Sequence, residues 1–297
     1  ERFNRSVRDF DINATPPQLA SVVPAVKGGL VFATPDNRRL ATPDRNNIMP
    51  RIGIAYRASD SWVIRSGFGI YYNVHQLNNY TILNLNPPLS GSANFVNNAV
   101  NNALVNTANP LTFANPFGVI NRSSATSANV LNRDNYQPQV AQWSFDVQRR
   151  LFWDMALNVG YVGSKTTHMD NTVEMNSPDP AFNTPTSTLQ SRRPFQFIND
   201  DGVVRPLTRI RFLDSGANAS YHGLQMTLQK RFSNGLSFSI AHTFSKTIME
   251  GYGRNEGDGL NPNTYQNPRD RRSERGRVGF DVTHNVVSNF VYEPPFF

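Results

Sequence analysis

Five histidines, His75, His168, His222, His242 and His284, are the side chains best suited to metal binding or proton transfer, and their spacing supports neither. Metal sites draw ligands from close pairs on one element, whereas the nearest two here, His222 and His242, are a whole hairpin apart. With no cysteine in the chain, a thiolate metal site and a disulfide framework are both excluded. "GSK" at 163–165 lacks the rest of a phosphate loop, and there is no strand–turn–helix serine elbow. "GYGRNEGDG" (251–259) has its glycines at the wrong spacing for a dinucleotide turn and reads as a flexible loop tip. Glu250, Glu256 and Asp258 offer hard oxygen ligands for Ca2+ at a spacing that matches no standard loop, which leaves calcium open. The densest charge cluster, "RDRRSERGR" (269–277), has no interleaved aromatics for base stacking, so nucleic acid is not an expected partner. Its charges suit a network at a lumen wall or rim instead, in which Asp270, Glu274 and Asp281 pair with Arg271, Arg275 and Arg277 across neighbouring strands. The chemistry to expect is therefore that of a non-enzyme, with no catalytic, cofactor or metal residues.

What these residues are mounted on follows from composition and period. The chain of 297 residues is 38% apolar, 17% charged and 11% aromatic, with 20 Pro and 19 Gly, so it is polar without being highly charged and rich in turn formers. That balance excludes a coiled coil, and recurring short aromatic and β-branched runs argue against full disorder. The net charge of +7 permits anionic partners such as a lipopolysaccharide surface. No apolar run reaches the ~18 residues of a membrane-crossing helix, which leaves open a membrane β-barrel, whose strands only alternate.

Alternation is what the chain shows. From Leu236 to Ile248, Leu236, Phe238, Ile240, Phe244 and Ile248 share one phase, and Ser237, Ser239, Ala241, Thr243, Ser245 and Thr247 the other. Leu224, Met226, Leu228 and Phe232 form the preceding run, and Ser233-Asn234-Gly235 supplies the positive φ angles of a tight hairpin. The same unit recurs with Ile52, Ile54 and Tyr56 turning at 58–61 into Trp62, Ile64, Phe68, Ile70 and Tyr72. It recurs again with Trp143, Phe145 and Val147 turning at 152–154 into Leu157, Val159 and Tyr161. A last strand is predicted over 278–292, with Phe280, Val282, Val286 and Phe290 on one phase, and "RFNRSVRDFDI" is a weak first strand. Short turns alternate strictly with long polar segments at 13–49, 73–137, 164–220 and 249–276. Long irregular loops at every other connection are foreign to compact soluble domains, but short periplasmic turns opposite long extracellular loops describe an outer-membrane barrel.

The lipid-facing phase is then Ile52, Ile54, Ile64, Phe68, Ile70, Phe145, Val147, Leu157, Val159, Leu224, Met226, Leu228, Phe238, Ile240, Phe244, Phe280, Val282 and Phe290. An aromatic girdle is assigned to Trp62, Tyr72, Trp143, Trp153, Tyr161, Phe232 and Tyr292. His222, His242 and Lys246 break the apolar phase, which requires Lys246 to snorkel near a rim and His242 to stay neutral.

"PDRNNIMPRIGIAYR" (43–57), "VIRSGFGIYYN" (63–73), "QPQVAQWSFDVQRRL" (137–151), "MALNVGYVGSKTTHM" (155–169), 221–248 and "NPRDRRSERGRVGFDVTHNVVSNFVYEPPF" (267–296) together resemble the TonB-dependent transporters with an Oar-like barrel. The resemblance implies an all-β fold in which residues 1–297 are a partial antiparallel barrel, about eight strands of roughly 22. It implies a place in the bacterial cell outer membrane among lipid and lipopolysaccharide, with an unknown substrate met at the extracellular loops. The signal peptide, carboxypeptidase-regulatory-like domain, TonB-contacting segment and plug would precede Glu1, so that the TonB complex is engaged only through them. A passive pore or surface adhesin on the same barrel and a soluble glycan-binding β-sandwich are the rival readings. The piece alone is expected to be a curved open sheet with irregular loops.

Overall fold

Strand forms wherever apolar and polar residues alternate, and in places where they do not. The computed structural model describes residues 7–11, 29–36, 38, 39, 41–75, 125–134, 136–200, 203–250, 265 and 267–296. Its strands are β1 (Val7–Asp11), β2 (Gly29–Phe32), β3 (Arg51–Arg57), β4 (Trp62–Tyr72), β5 (Thr126–Leu131), β6 (Gln139–Arg150), β7 (Met155–Glu174), β8 (Phe197–Asp200), β9 (Val203–Ser233), β10 (Leu236–Glu250), β11 (Arg275–Arg277) and β12 (His284–Tyr292). They fall into two units, one of Glu1–Ala41, Leu77–Arg133 and Val173–Leu213, the other of Thr42–Gln76, Asp134–Thr172 and Asp214–Phe297.

The second unit is a single-layer wall in the order β3-β4-β6-β7-β9-β10, with both β12 and β11 paired to β10. Every pairing with a described register in this unit is antiparallel. The short turns close as the sequence requires. Asn234 (φ 52) and Gly235 (φ 73) form the β9–β10 turn, the left-handed pair that suits the twist of a two-residue hairpin. A Cβ on Gly235 would lie 2.5 Å from the Glu293 carbonyl, so glycine is required there for space as well as for φ. Trp153 and Asp154 (both φ 57) turn β6 into β7, closed by Leu151 N–H donating to Met155 O (2.8 Å).

The first unit buries a core of ordinary kind. Ala128, Val130, Phe195, Leu207 and Ile210 pack together, with Met175 and Phe212 against them. β5 runs parallel to residues 207–213 of β9, a departure from the purely antiparallel expectation. At its centre Asn176, fully buried, donates from Nδ2 to Phe195 O (2.7 Å) and Leu207 O (3.0 Å) and accepts the Phe195 N–H (2.8 Å). One amide side chain thus satisfies backbone groups of two segments that no ladder reaches.

Three sequence expectations need correction. Residues 164–220, expected to be loop, include the ends of β7 and β9 and all of β8, because segments such as the Thr-rich 166–173 form strand without an apolar phase. The first predicted strand is realised as β1, which pairs with β2 in a separate two-stranded sheet. The predicted strand over 278–292 begins only at His284. Phe280 and Val282, assigned to a lipid-facing strand, lie in the interruption between β11 and β12 and are exposed. The reason is Asp281: its carboxylate accepts the Thr247 N–H (2.8 Å) and the Arg277 Nε–H (2.9 Å), taking the place of a ladder carbonyl and letting the chain bulge.

Candidate functional site

The wall presents two unlike faces, and register assigns residues to each. On one face the rows Arg51–Gly69–Gln142–Ser164 and Gly53–Gly67–Ser144–Val162 run across β3, β4, β6 and β7. A hollow of about 560 Å³ opens on these rows and reaches Tyr71 and Tyr221. Nearer the short turns a second hollow of about 300 Å³ is lined by Arg65, Gln148, Ala156, Asn158, Thr227 and Gln229, with Arg65 Nη1 donating to Gln148 Oε1 (3.1 Å). The smaller hollow is lined by the polar phase alone, and the larger by these polar-phase rows together with Ile52, Phe68, Trp143 and Gly163 of the row between them.

Glycines shape the larger hollow. A Cβ on Gly69 would meet the Tyr71 hydroxyl at 2.8 Å, and one on Gly223 the Tyr221 hydroxyl at 2.6 Å. Each tyrosine therefore lies back along its own strand over the glycine two residues away. The Arg51 guanidinium sits over the Tyr71 ring, 4.8 Å from its centroid. Gly-x-Tyr at 69–71 and Tyr-x-Gly at 221–223 were legible as same-phase pairs, but the sequence reading did not single out Arg51, Tyr71 or Tyr221.

The opposite face carries the predicted apolar phase. Ile52–Phe68–Trp143–Gly163, Ile54–Ser66–Phe145–Tyr161 and Tyr56–Ile64–Val147–Val159 are its rows, with Ile70 and Leu157 in the same phase. In the β9–β10–β12 part, Leu224 pairs with Phe244, Met226 with His242, Leu228 with Ile240, and Phe238 with Phe290. Ile54 is 65%, Phe145 50% and Ile240 43% exposed, so no protein layer covers them. Among the described residues of this unit no second sheet packs on this face.

Polar groups in that phase partner one another. Tyr161 and His222 share a hydrogen bond between the Tyr161 hydroxyl and Nδ1 (2.7 Å), and the His222 ring also meets Trp143. His242 and His284 stack at 5.5 Å, nearly parallel, with Nε2 to Nδ1 at 3.2 Å. That bond needs one N–H and one bare nitrogen, hence at least one neutral ring. Lys230, in the same phase and missed in the sequence, reaches the short-turn end to donate to Ser233 O (3.2 Å) and Trp153 O (3.3 Å). Trp62, Trp153, Phe232 and Tyr292 lie at that end too, with Arg149 over the Trp62 ring and Phe152 edge-on to Trp153. Tyr72 closes the other end of β4, while Trp143 and Tyr161 lie within β6 and β7 around His222.

The charge cluster is distributed differently from the predicted network. Arg271 pairs with Asp214 (2.5 Å) and lies over the Tyr265 ring, whose burial raises its pKa. Asp270 caps the turn at 271–274 by accepting the Ser273 N–H, Glu274 accepts from Asn267 N–H, and Arg277 pairs with Asp281 within its own segment. Arg275 opens β11 opposite Glu250. Of the acidic loop, Glu250 accepts from Asn218 Nδ2 (2.7 Å), and Glu256 and Asp258 lie outside the described residues. Most of the long segment 73–137 also lies outside them.

A family model described as "Outer membrane beta barrel domain" matches residues 1–297. The chain belongs to that family. Its place is the bacterial outer membrane, and the wall is a section of a barrel. Among solved structures it is similar to the FrpB iron transporter from Neisseria meningitidis (F3-3 variant), with 8% identity, a TM-score of 0.37, and 68% of this chain and 20% of that one covered. The outer membrane transporter YddB from Escherichia coli gives 10%, 0.38, 65% and 19%, and the siderophore receptor PirA from Pseudomonas aeruginosa 12%, 0.35, 82% and 42%. This chain thus spans less than half the length of each. No curated protein matches it.

Proposed function

We propose that this barrel section belongs to a TonB-dependent transporter that takes up a bulky nutrient, with the apolar phase against lipid and the polar phase lining the lumen. The observation that supports it is the lining of the two hollows: the smaller is lined by polar-phase residues alone and the larger mainly by them, as expected when a sheet curves around a watery interior. The long connections all leave the same ends of the wall strands, where a substrate arriving from outside meets them first. The sequence resemblance to the Oar-like barrels supplies the TonB coupling. Transport of this kind is binding followed by gating, without bond-making chemistry.

A test that needs no substrate separates this from a passive pore. The complete protein, purified in detergent, is presented to the periplasmic domain of TonB and, separately, inserted into a planar bilayer. Binding to TonB with no steady ion conductance is the expected result. A steady open-channel conductance without TonB binding would establish the passive pore instead.

A further inference from the structure

The larger hollow has the makings of a recognition site, and we infer that it takes a carboxylate-bearing sugar chain passing along the lumen wall. The assignment rests on the proposed lumen reading, and it names the chemistry of what passes.

The volume of about 560 Å³ falls within the range of small-molecule sites and suits one or two sugar rings. Its cation is arranged in advance. Tyr71 is laid on Gly69, and the Arg51 guanidinium lies over Tyr71, 4.8 Å from its ring centroid, so the cation has a seat on the ring before any ligand arrives. A guanidinium seated over an aromatic ring leaves its N–H fork free to meet a carboxylate with two parallel hydrogen bonds, and less side-chain freedom is lost when it does.

The other polar groups of the lining suit hydroxyls, beside the apolar Ile52, Phe68, Trp143 and Val162. Gln142 offers donor and acceptor at once, Ser144 and Ser164 do the same on a smaller scale, and Tyr221 adds a ring laid over Gly223. The glycine floor leaves room for a ring to lie flat against the strands: a Cβ on Gly53 would meet nothing within 4 Å, and on Gly67 nothing nearer than 3.4 Å. Of the residues that line the hollow only Arg51 is charged, so nothing there opposes an anion.

A carboxylate beside hydroxyls also occurs in hydroxy acids without a ring, and the experiment separates the two sources. The complete protein in detergent is titrated calorimetrically with trigalacturonate, citrate and maltotriose. Trigalacturonate is expected to bind best. R51Q should weaken it by roughly tenfold or more, the loss of a bidentate charge-assisted pair, and leave maltotriose unchanged. R51K should recover only part of the loss, since the charge returns without the planar fork. Retention of the heat-modifiable gel shift of a folded barrel confirms that each variant is intact. Citrate or maltotriose binding as tightly as trigalacturonate, undiminished trigalacturonate affinity in an intact R51Q, or no trigalacturonate binding in the millimolar range would each overturn the assignment. None of these outcomes touches TonB binding or conductance, so failure here is distinct from failure of the transport reading.

Discussion

The two units use apolar residues in opposite ways. In the first, Val130, Leu207 and Ile210 are completely buried and a fully buried Asn176 satisfies the backbone groups around them. In the second, the buried apolar residues among those described are Ala217, Met249 and Tyr265, while Ile52, Ile54, Phe145, Phe244 and Phe290 stand open. A chain in water would not leave that many large side chains uncovered on one continuous face. The first unit is built as proteins in water are built, whereas the second is a wall whose apolar side stands open, as the proposed contact with lipid requires.

The contrast can be broken most severely at Asn176. Asn176→Ala takes its amide from Phe195 N–H and Phe195 O, each loss costing about 1 to 3 kcal/mol, while Leu207 O keeps the Gln190 amide, so a loss of roughly 2 to 6 kcal/mol is expected. It should appear as fast amide exchange and protease nicking across 173–213 with the wall strands still protected; equal loosening of both units would contradict their independence.

The wall side is sharpened by moving one charge across the sheet. Ile240→Lys places an ammonium on the apolar face at a cost of about 2 to 4 kcal/mol if that face meets the bilayer interior. Ser239→Lys, one residue away on the polar face, should cost well under half of that. Urea-dependent insertion of the complete protein into lipid vesicles measures both, and equal effects would refute the two-solvent account.

Gly235→Ala puts a Cβ at φ 73 against Glu293 O, where the left-handed conformation alone costs about 1 to 2 kcal/mol. The hairpin should insert more slowly, with the first unit untouched. The smallest expected effect is at Tyr265. Its folded pKa is raised above the ordinary 10.0 by burial, so its contribution is intact below that value and is lost as pH rises through the folded pKa. Tyr265→Phe should flatten the alkaline decline in protection around Met249 and Arg271, and an unchanged decline would remove Tyr265 as its source.

The sequence made the wall legible because a single layer with one apolar and one polar face imposes a period of two. β3, β4, β6 and β10 alternate, with breaks such as His242 and Lys246, and the β9–β10 turn carries Asn234 and Gly235, which tolerate φ > 0. The upper parts of β7 and β9 were read as loop because their burial follows no two-residue period: Leu207, Ile210 and Leu213 are buried at a spacing of three. Asn176 was invisible for a different reason: in an Asn-rich chain nothing local distinguishes the one asparagine whose amide is enclosed. Phe280 and Val282 matched the apolar phase, yet a side-chain carboxylate two-thirds of the way along the segment displaced the strand. Of the candidate hollow, the polar phase and the glycines were readable, but the tyrosines folding back onto them were not.

That carboxylate has a further effect. Asp281 occupies the Thr247 N–H, and Ser245 N–H donates to Thr283 O, so the β10 margin stays satisfied across a gap where its neighbour has stepped away. A stray polypeptide searching for somewhere to zip on finds no vacant donor there, and the seam can flex at this joint without unravelling above or below it.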